Sequence, residues 1–383
     1  MKAYNTKQYS YAAGMLAEGC QQCVRGEKTV LFITGLCGQG CYYCPLSDQK
    51  YGRDVVFANE WEVGKDIRKL FKEIEFCSSK GAGITGGDPL VTLQRTTRWI
   101  RLLKKRFGKR FHIHLYTPLR LVNEKRLHAL YSAGLDEIRF HPDIEKEEDW
   151  KKIILAKKYS WKVGVEVPVI PGKKANYKML IDYISAIPID FLNLNELETA
   201  DNKVSKVGAK GFRTKNRLSY GIRGSEHLGK ELVKYCATKN LAAHYCSATL
   251  KDRVQLANRI KKRAKNIAQL FDVVTNEGLL VRGAIYDDIV PGAGYRKRIA
   301  RINQDKKAKG KIIKKLSLLR KKIMKEHHVL KQYITVDDQK LRILIAPWLL
   351  EKIHKHLNNS SAIVTEYPTH DQFEVEVAFL RWK

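Results

Sequence analysis

The sequence predicts an α/β protein, a full or partial (β/α) barrel with a small basic α+β domain at its C-terminal end. Three observations predict it. Between residues 28 and 250, short β-rich apolar runs alternate with longer amphipathic segments, the pattern of βα units around a parallel sheet. Thiols and a glycine pair fall just past the first two of those runs, at the strand ends where β/α barrels carry their chemistry. Near residue 250 the composition shifts toward lysine and arginine.

The strand candidates are TVLFITG (29–35), GAGITG (81–86), FHIHLYT (111–117), DEIRFH (136–141), KVGVEVPVI (162–170), FLNLNEL (191–197) and LAAHYC (241–246). Their near-continuous apolar character suits strands buried on both faces. Between them, EWEVGKDIRKLFKEIEFC and LQRTTRWIRLLKKRFG have helical periodicity. Three regions follow: an N-terminal segment 1–27, a barrel 28–250 and a basic region 251–383. In the last, Ile312, Leu316, Leu319 and Ile323 form an apolar stripe on a basic helix that Gly310 interrupts. QYITV, KLRILIA, AIVTEY and FEVEVAFL alternate as strands there, and PWLLEKIHKHL reads as a helix.

A formal net charge of +31 exceeds what solubility requires and points to a polyanionic partner, nucleic acid first. Residues 251–330 hold 22 Lys and Arg against 7 Asp and Glu. Arg253, Lys261, Lys262, Lys265, Arg296, Lys297, Arg298, Lys314 and Lys315 are the candidate phosphate contacts. No stretch approaches the length of apolar residues that a membrane helix needs, and the N-terminus lacks a signal-peptide core. A cytoplasmic location without membrane partners is expected, in which eight cysteines serve as metal ligands or buried thiols rather than disulfides.

In LCGQGCYYCPL, Cys37, Cys41 and Cys44 form a Cys-x3-Cys-x2-Cys loop compact enough to wrap one metal centre, with Gly38 and Gly40 permitting the tight backbone. Soft thiolates select zinc or an iron–sulfur cluster, and no fourth Cys or His follows at finger-like spacing. The second strand candidate runs into Gly86-Gly87-Asp88-Pro89.

The cysteine loop, with Tyr43 before its last thiol, and the glycine run on the next strand resemble the signature elements of radical S-adenosylmethionine (SAM) enzymes. The resemblance implies a [4Fe–4S] cluster on Cys37, Cys41 and Cys44 whose open iron binds the amino and carboxylate groups of SAM. It implies an adenine contact at Tyr43 and a backbone contact from Gly86, Gly87, Asp88 and Pro89 to the SAM amino group, Asp88 replacing the common Glu. Tyr116, His141, Glu166 and Asn195 become candidates for further SAM contacts, and Arg139 for pairing with the SAM carboxylate. Residues 18–260 resemble an archaeal group related to pyruvate formate-lyase activating enzyme, which implies an electron donor such as ferredoxin or flavodoxin.

Outside the signature, Cys20 and Cys23 have knuckle spacing, and with Cys236, Cys246 and the substitute ligand His244 they form a candidate second zinc or iron–sulfur site. Cys77 is expected in the core. The charge distribution leads to the expectation that the radical modifies a nucleoside in RNA, transfer RNA foremost. The alternative, implied by the activating-enzyme resemblance, is hydrogen abstraction from a partner protein or peptide.

Overall fold

The computed structural model describes residues 1–382, which divide into two compact units, Met1–Arg259 and the chain from Ile260 onward. The first is built on seven parallel strands: β1 (Lys28–Phe32), β2 (Gly81–Thr85), β3 (His112–Pro118), β4 (Glu137–His141), β5 (Lys162–Val169), β6 (Phe191–Glu196) and β7 (Ala243–Cys246). Each pairs with its successor, so the sheet winds in one direction with crossovers between neighbours. Antiparallel ribbons finish both edges. Ala3–Asn5 and Tyr11–Ala13 extend it beyond β7, and Phe57–Ala58 with Trp61–Glu62 extend it beyond β1. Among the described residues these ribbons do not pair with each other, so the barrel is partial and open. The segment before residue 28 therefore belongs to the sheet of this unit.

Alternation along the strands creates two unlike faces. On β4, Ile138 and Phe140 are fully buried in the apolar core, which Trp99, Ile100 and Leu103 of the helix Leu93–Phe107 also enter. Glu137, Arg139 and His141 project the other way. Repeated at His112, His114, Tyr116, Glu166, Asn193, Asn195 and His244, this gives a polar interior where strands buried on both faces were expected to be apolar on both. The strands are buried on both faces, but ionisable groups paired across strands fill the inner one.

Helices start where local chemistry dictates. Asp66 accepts from the Arg68 N–H at 3.0 Å to begin Ile67–Phe76, and Asn123 accepts from the Arg126 N–H at 3.0 Å to begin Glu124–Ser132.

The second unit is an antiparallel sheet of β8 (Leu280–Tyr286), β9 (Ile334–Asp337), β10 (Arg342–Ile345), β11 (Ser360–Glu366) and β12 (Glu374–Arg381), in the order β9-β10-β8-β11-β12, with Val273–Val274 added to β8. Across it packs the helix Lys306–Glu326, burying Leu316 and Ile323 and partly burying Ile312 and Leu319. The helix runs through Gly310. Its break falls at Asp305, whose carboxylate caps the Lys307 and Ala308 N–H groups, because a cap outweighs the modest propensity penalty of one exposed glycine. In the interior Arg342 sits between Asp337 and Glu366, and Arg282 between Asp272 and Glu366.

Candidate active site

The long connection after β1 carries Cys37, Cys41 and Cys44, all reduced and all lining one cavity of about 580 Å³ inside the partial barrel. Its base is closed by Gly35 N–H to Arg53 O at 2.8 Å and Gly52 N–H to Gly35 O at 3.0 Å. Gly40 adopts φ +67°, the left-handed turn that glycine permits. Distant groups hold the loop: Asn202 donates to the carbonyls of Cys44 at 3.1 Å and Leu46 at 2.9 Å, Lys206 N–H donates to Tyr42 O at 2.7 Å, and Arg120 donates to Gly38 O. No sequence signal marked Asn202, Lys206 or Arg120. Asn202 and Lys206 come from the crossover after β6 and Arg120 from the turn after β3, both returning over the cysteine loop, which spacing does not reveal.

The glycine run is a clamp for this loop. Gly87 N–H donates to Thr34 O and Asp88 N–H to Leu36 O, each at 2.8 Å. A Cβ on Gly86 would lie 2.3 Å from Thr34 O, and one on Gly87 2.3 Å from Leu36 O and 2.8 Å from Cys37 Cβ. Glycine is required because strand end and loop touch through backbone. Gly86 and Gly87 line the cavity, while Asp88 and Pro89 do not. The Asp88 carboxylate accepts from Leu90 N–H at 2.9 Å and Thr117 Oγ1 at 2.8 Å, so its side chain secures the turn; burial raises its pKa above the ordinary value. The Asp88 side chain thus serves the turn, and the backbone of the run is what faces the loop and the cavity.

Tyr43 and His141 form one wall. The carbonyl of Glu166 only accepts, so the contact of His141 Nδ1 with it at 2.9 Å puts the proton on Nδ1. Nε2 then accepts from the Tyr43 hydroxyl at 3.1 Å, and burial keeps the imidazole neutral by lowering its pKa. Deeper, Arg139 is 1 % exposed and pairs with Glu137 at 2.5 Å and Glu166 at 2.8 Å. Asn193 and Asn195 donate to Glu166 at 2.8 and 2.9 Å. Burial opposes ionisation of Glu166, but Arg139 and the two amides outweigh it and hold its pKa below the ordinary value. Arg139, the candidate partner of a SAM carboxylate, is thus already paired with two buried protein carboxylates while still lining the cavity. Tyr116 accepts from Arg139 at 3.2 Å and meets His114 Nε2 at 3.1 Å, and the same nitrogen accepts from Lys28 Nζ at 3.0 Å. Tyr116, His141, Glu166, Asn195 and Arg139 all line the cavity.

The residual cysteines separate. Cys20, Cys23 and Cys246 line this cavity with His244. Cys236, on the helix Ser225–Thr238, is fully buried among apolar side chains, and burial pushes its thiol up to about 12. Cys236, expected as a ligand of the second metal site, is thus not brought to the cavity with the other three thiols, since its side chain lies in the apolar core. Cys77 is also fully buried, beside Glu73 and Asn59.

These thiols fit an iron–sulfur cluster better than zinc. Among the described residues no three His, Cys, Asp or Glu side chains converge on a single metal ion. A cluster, which interposes several irons and sulfides between its ligands, suits one loop of three thiols opening into a shared cavity. Burial raises all three thiol pKa values, Cys41 to about 11, so binding a cluster must displace their protons.

Comparison with known proteins agrees. Residues 31–168 match the radical SAM superfamily, and residues 309–380 match DUF8061, a domain of unknown function. The chain belongs to the radical SAM superfamily, and its cofactors are a [4Fe–4S] cluster and SAM. It is 37% identical over 377 residues, 94% of this chain and 92% of the other, to MJ0021 of Methanocaldococcus jannaschii, provisionally named a glycyl-radical enzyme activating enzyme. Among solved structures it is similar to the radical SAM methyltransferase TsrM of Kitasatospora setae, at 13% identity and TM-score 0.38 over 65% of this chain and 54% of that one. It is also similar to methylornithine synthase PylB, at 13% identity and TM-score 0.41 over 58% and 67%. The chain spans about half to two thirds of those two structures.

The M. jannaschii relative overturns the expectation of an RNA substrate, because the activity in its name is directed at a protein. The basic residues explain why charge misled. Arg253, Lys261, Lys265, Arg296, Lys297, Arg298, Lys314 and Lys315 are exposed and Lys262 is half-buried, so they read equally as solvated helix faces. Lys315 pairs with Asp287 and Asp288, Arg298 donates to Val290 O at 3.0 Å, and Arg296 lies over the Phe373 ring. Among the described residues no helix is long and apolar enough to cross a membrane.

Proposed function

We propose that this chain is a radical SAM activating enzyme that abstracts a hydrogen atom from a residue of a partner protein, glycine being the residue named for its relative. Cys37, Cys41 and Cys44 would hold the cluster. When bound there, the cluster and SAM would supply the radical chemistry that removes a hydrogen atom, with the electron coming from a ferredoxin- or flavodoxin-like donor.

The protein's own contribution is orientation and exclusion of water. The glycine clamp fixes the loop while the N–H groups of Gly87 and Asp88 are committed to loop carbonyls, so an incoming ammonium, a donor, would be met by the carbonyls of the turn. The Tyr43 ring, anchored through neutral His141, offers a flat wall for the adenine. Arg139, held between Glu137 and Glu166, acts as a positioning residue that orients Glu166 and Tyr116 toward the cavity. The excess of positive charge suits an acidic partner surface.

The observation that carries this reading is that the three loop thiols, the glycine clamp and the Tyr43–His141 wall open into one cavity. Anaerobic incubation of reduced protein with SAM tests it. Wild type should form 5′-deoxyadenosine and Cys41→Ala should form none above the enzyme-free control. Equal yields from both would reject the assignment.

A further inference from the structure

Three thiols lie in the same cavity but outside the cysteine loop. Cys20 and Cys23 sit three residues apart on the short helix Glu18–Val24, on one face of it, and Cys246 ends β7. Cys20 is 7 % and Cys246 9 % exposed. Gly19 makes the approach of this helix possible: a Cβ there would lie 2.4 Å from His114 Nδ1 and 2.7 Å from Arg139 Nη2. Asn193 Nδ2 lies 3.3 Å from Cys20 Sγ, and Gln255 Nε2 3.7 Å from Cys246 Sγ, so the amides aim donors at sulfur as they would at cluster thiolates.

Two further groups at this site lack an ordinary explanation. Lys28 is 6 % exposed and lines the cavity, yet no carboxylate among the described residues forms an ion pair with it; its hydrogen-bond partner is the imidazole of His114. A buried ammonium with no carboxylate partner is costly and calls for an anion. His244 lies two residues before Cys246 on the same face of β7, with Nε2 bonded to Ser10 Oγ at 3.1 Å and a buried Nδ1 that has no partner. An uncommitted imidazole nitrogen beside three thiols is a ligand set, and thiolates would supply the negative charge that Lys28 lacks.

We infer that Cys20, Cys23, Cys246 and His244 hold a second iron–sulfur cluster inside the barrel, facing the cavity that the cysteine loop also enters. Placement in the shared cavity puts the second cluster within short range of the first and of any substrate admitted there.

The test reads iron and acid-labile sulfide per chain, with electron paramagnetic resonance of the reduced full-length protein after anaerobic reconstitution. It needs no activity, so it stands apart from the proposed function. Cys37→Ala/Cys41→Ala/Cys44→Ala and Cys20→Ala/Cys23→Ala/Cys246→Ala should each lose about half the iron, and the second variant should keep the SAM-responsive signal of the first cluster, which also reports that it folds. His244→Ala should keep its iron but change the second signal. Full iron in the Cys20/Cys23/Cys246 variant, or no iron in the loop variant despite a native circular-dichroism spectrum, would overturn the inference. An unchanged spectrum in His244→Ala would overturn the assigned ligand set.

Discussion

Replacing Gly87 with alanine probes the clamp on which the cysteine loop depends. Its Cβ would lie 2.3 Å from Leu36 O, 2.6 Å from the Leu36 carbonyl carbon and 2.8 Å from Cys37 Cβ. A carbon and a carbonyl oxygen rest at about 3.3 Å or more, so strand end and loop must separate by about 1 Å. All the atoms struck are backbone or Cβ, so no rotamer change relieves the clash. Overpacking of this kind costs about 1–3 kcal/mol, and separation weakens the two bonds from Gly87 and Asp88 N–H to the loop, each worth about 1 kcal/mol. The expected loss is about 2–5 kcal/mol in urea denaturation of the apoprotein, with iron on the loop after reconstitution falling severalfold. Gly40→Ala is the control. Its φ of +67° costs an alanine about 1–2 kcal/mol, but nothing lies within 4 Å of the new Cβ, so strand and loop stay together and iron is retained. Wild-type stability and iron in Gly87→Ala would refute the clamp.

Arg139→Met strands Glu137 and Glu166 without their cation and should destabilise by about 3–5 kcal/mol in urea. Burial opposes ionisation of Glu137, but Arg139 and His112 outweigh it and depress its pKa from 4.5 to about 2. The unfolded chain therefore binds more protons in that window: the contribution is complete above pH 4.5, about 3 kcal/mol, and is lost as pH falls through 2. Glu137→Gln should flatten that part of the stability curve, and an unchanged curve would count against the pairing. Tyr43→Phe removes the donor to His141 Nε2 and should weaken SAM binding about three- to tenfold in equilibrium dialysis without loss of iron. Cys236→Ala should leave metal content unchanged and lower stability by about 1 kcal/mol, as loss of one small buried side chain does.

Elements whose determinants are local were legible in the sequence. The seven parallel strands fall within a few residues of their apolar runs, and the Cys-x3-Cys-x2-Cys spacing with the glycine run pointed to the cofactors. Pairings across the fold were not legible. Nothing in EIRFH says that Arg139 is neutralised by Glu137 beside it and Glu166 one strand away, because a strand's inner and outer faces look alike until neighbours are placed. Cys236 and Cys246 are equally hydrophobic thiols in sequence, yet a helix turns one into the core and a strand end turns the other into the cavity. Asn202 reaches the loop from more than 150 residues away. Net charge signals an acidic partner without saying whether it is nucleic acid or protein.

The most direct test of the central claim follows the hydrogen atom. Reduced holoenzyme is incubated anaerobically with SAM and protein extracted from native cells grown on glycine deuterated at Cα, and the 5′-deoxyadenosine formed is examined by mass spectrometry. Deuterium in its methyl group is the predicted result, abolished by Cys41→Ala. 5′-Deoxyadenosine that forms without acquiring deuterium from protein would contradict abstraction from a partner's glycine.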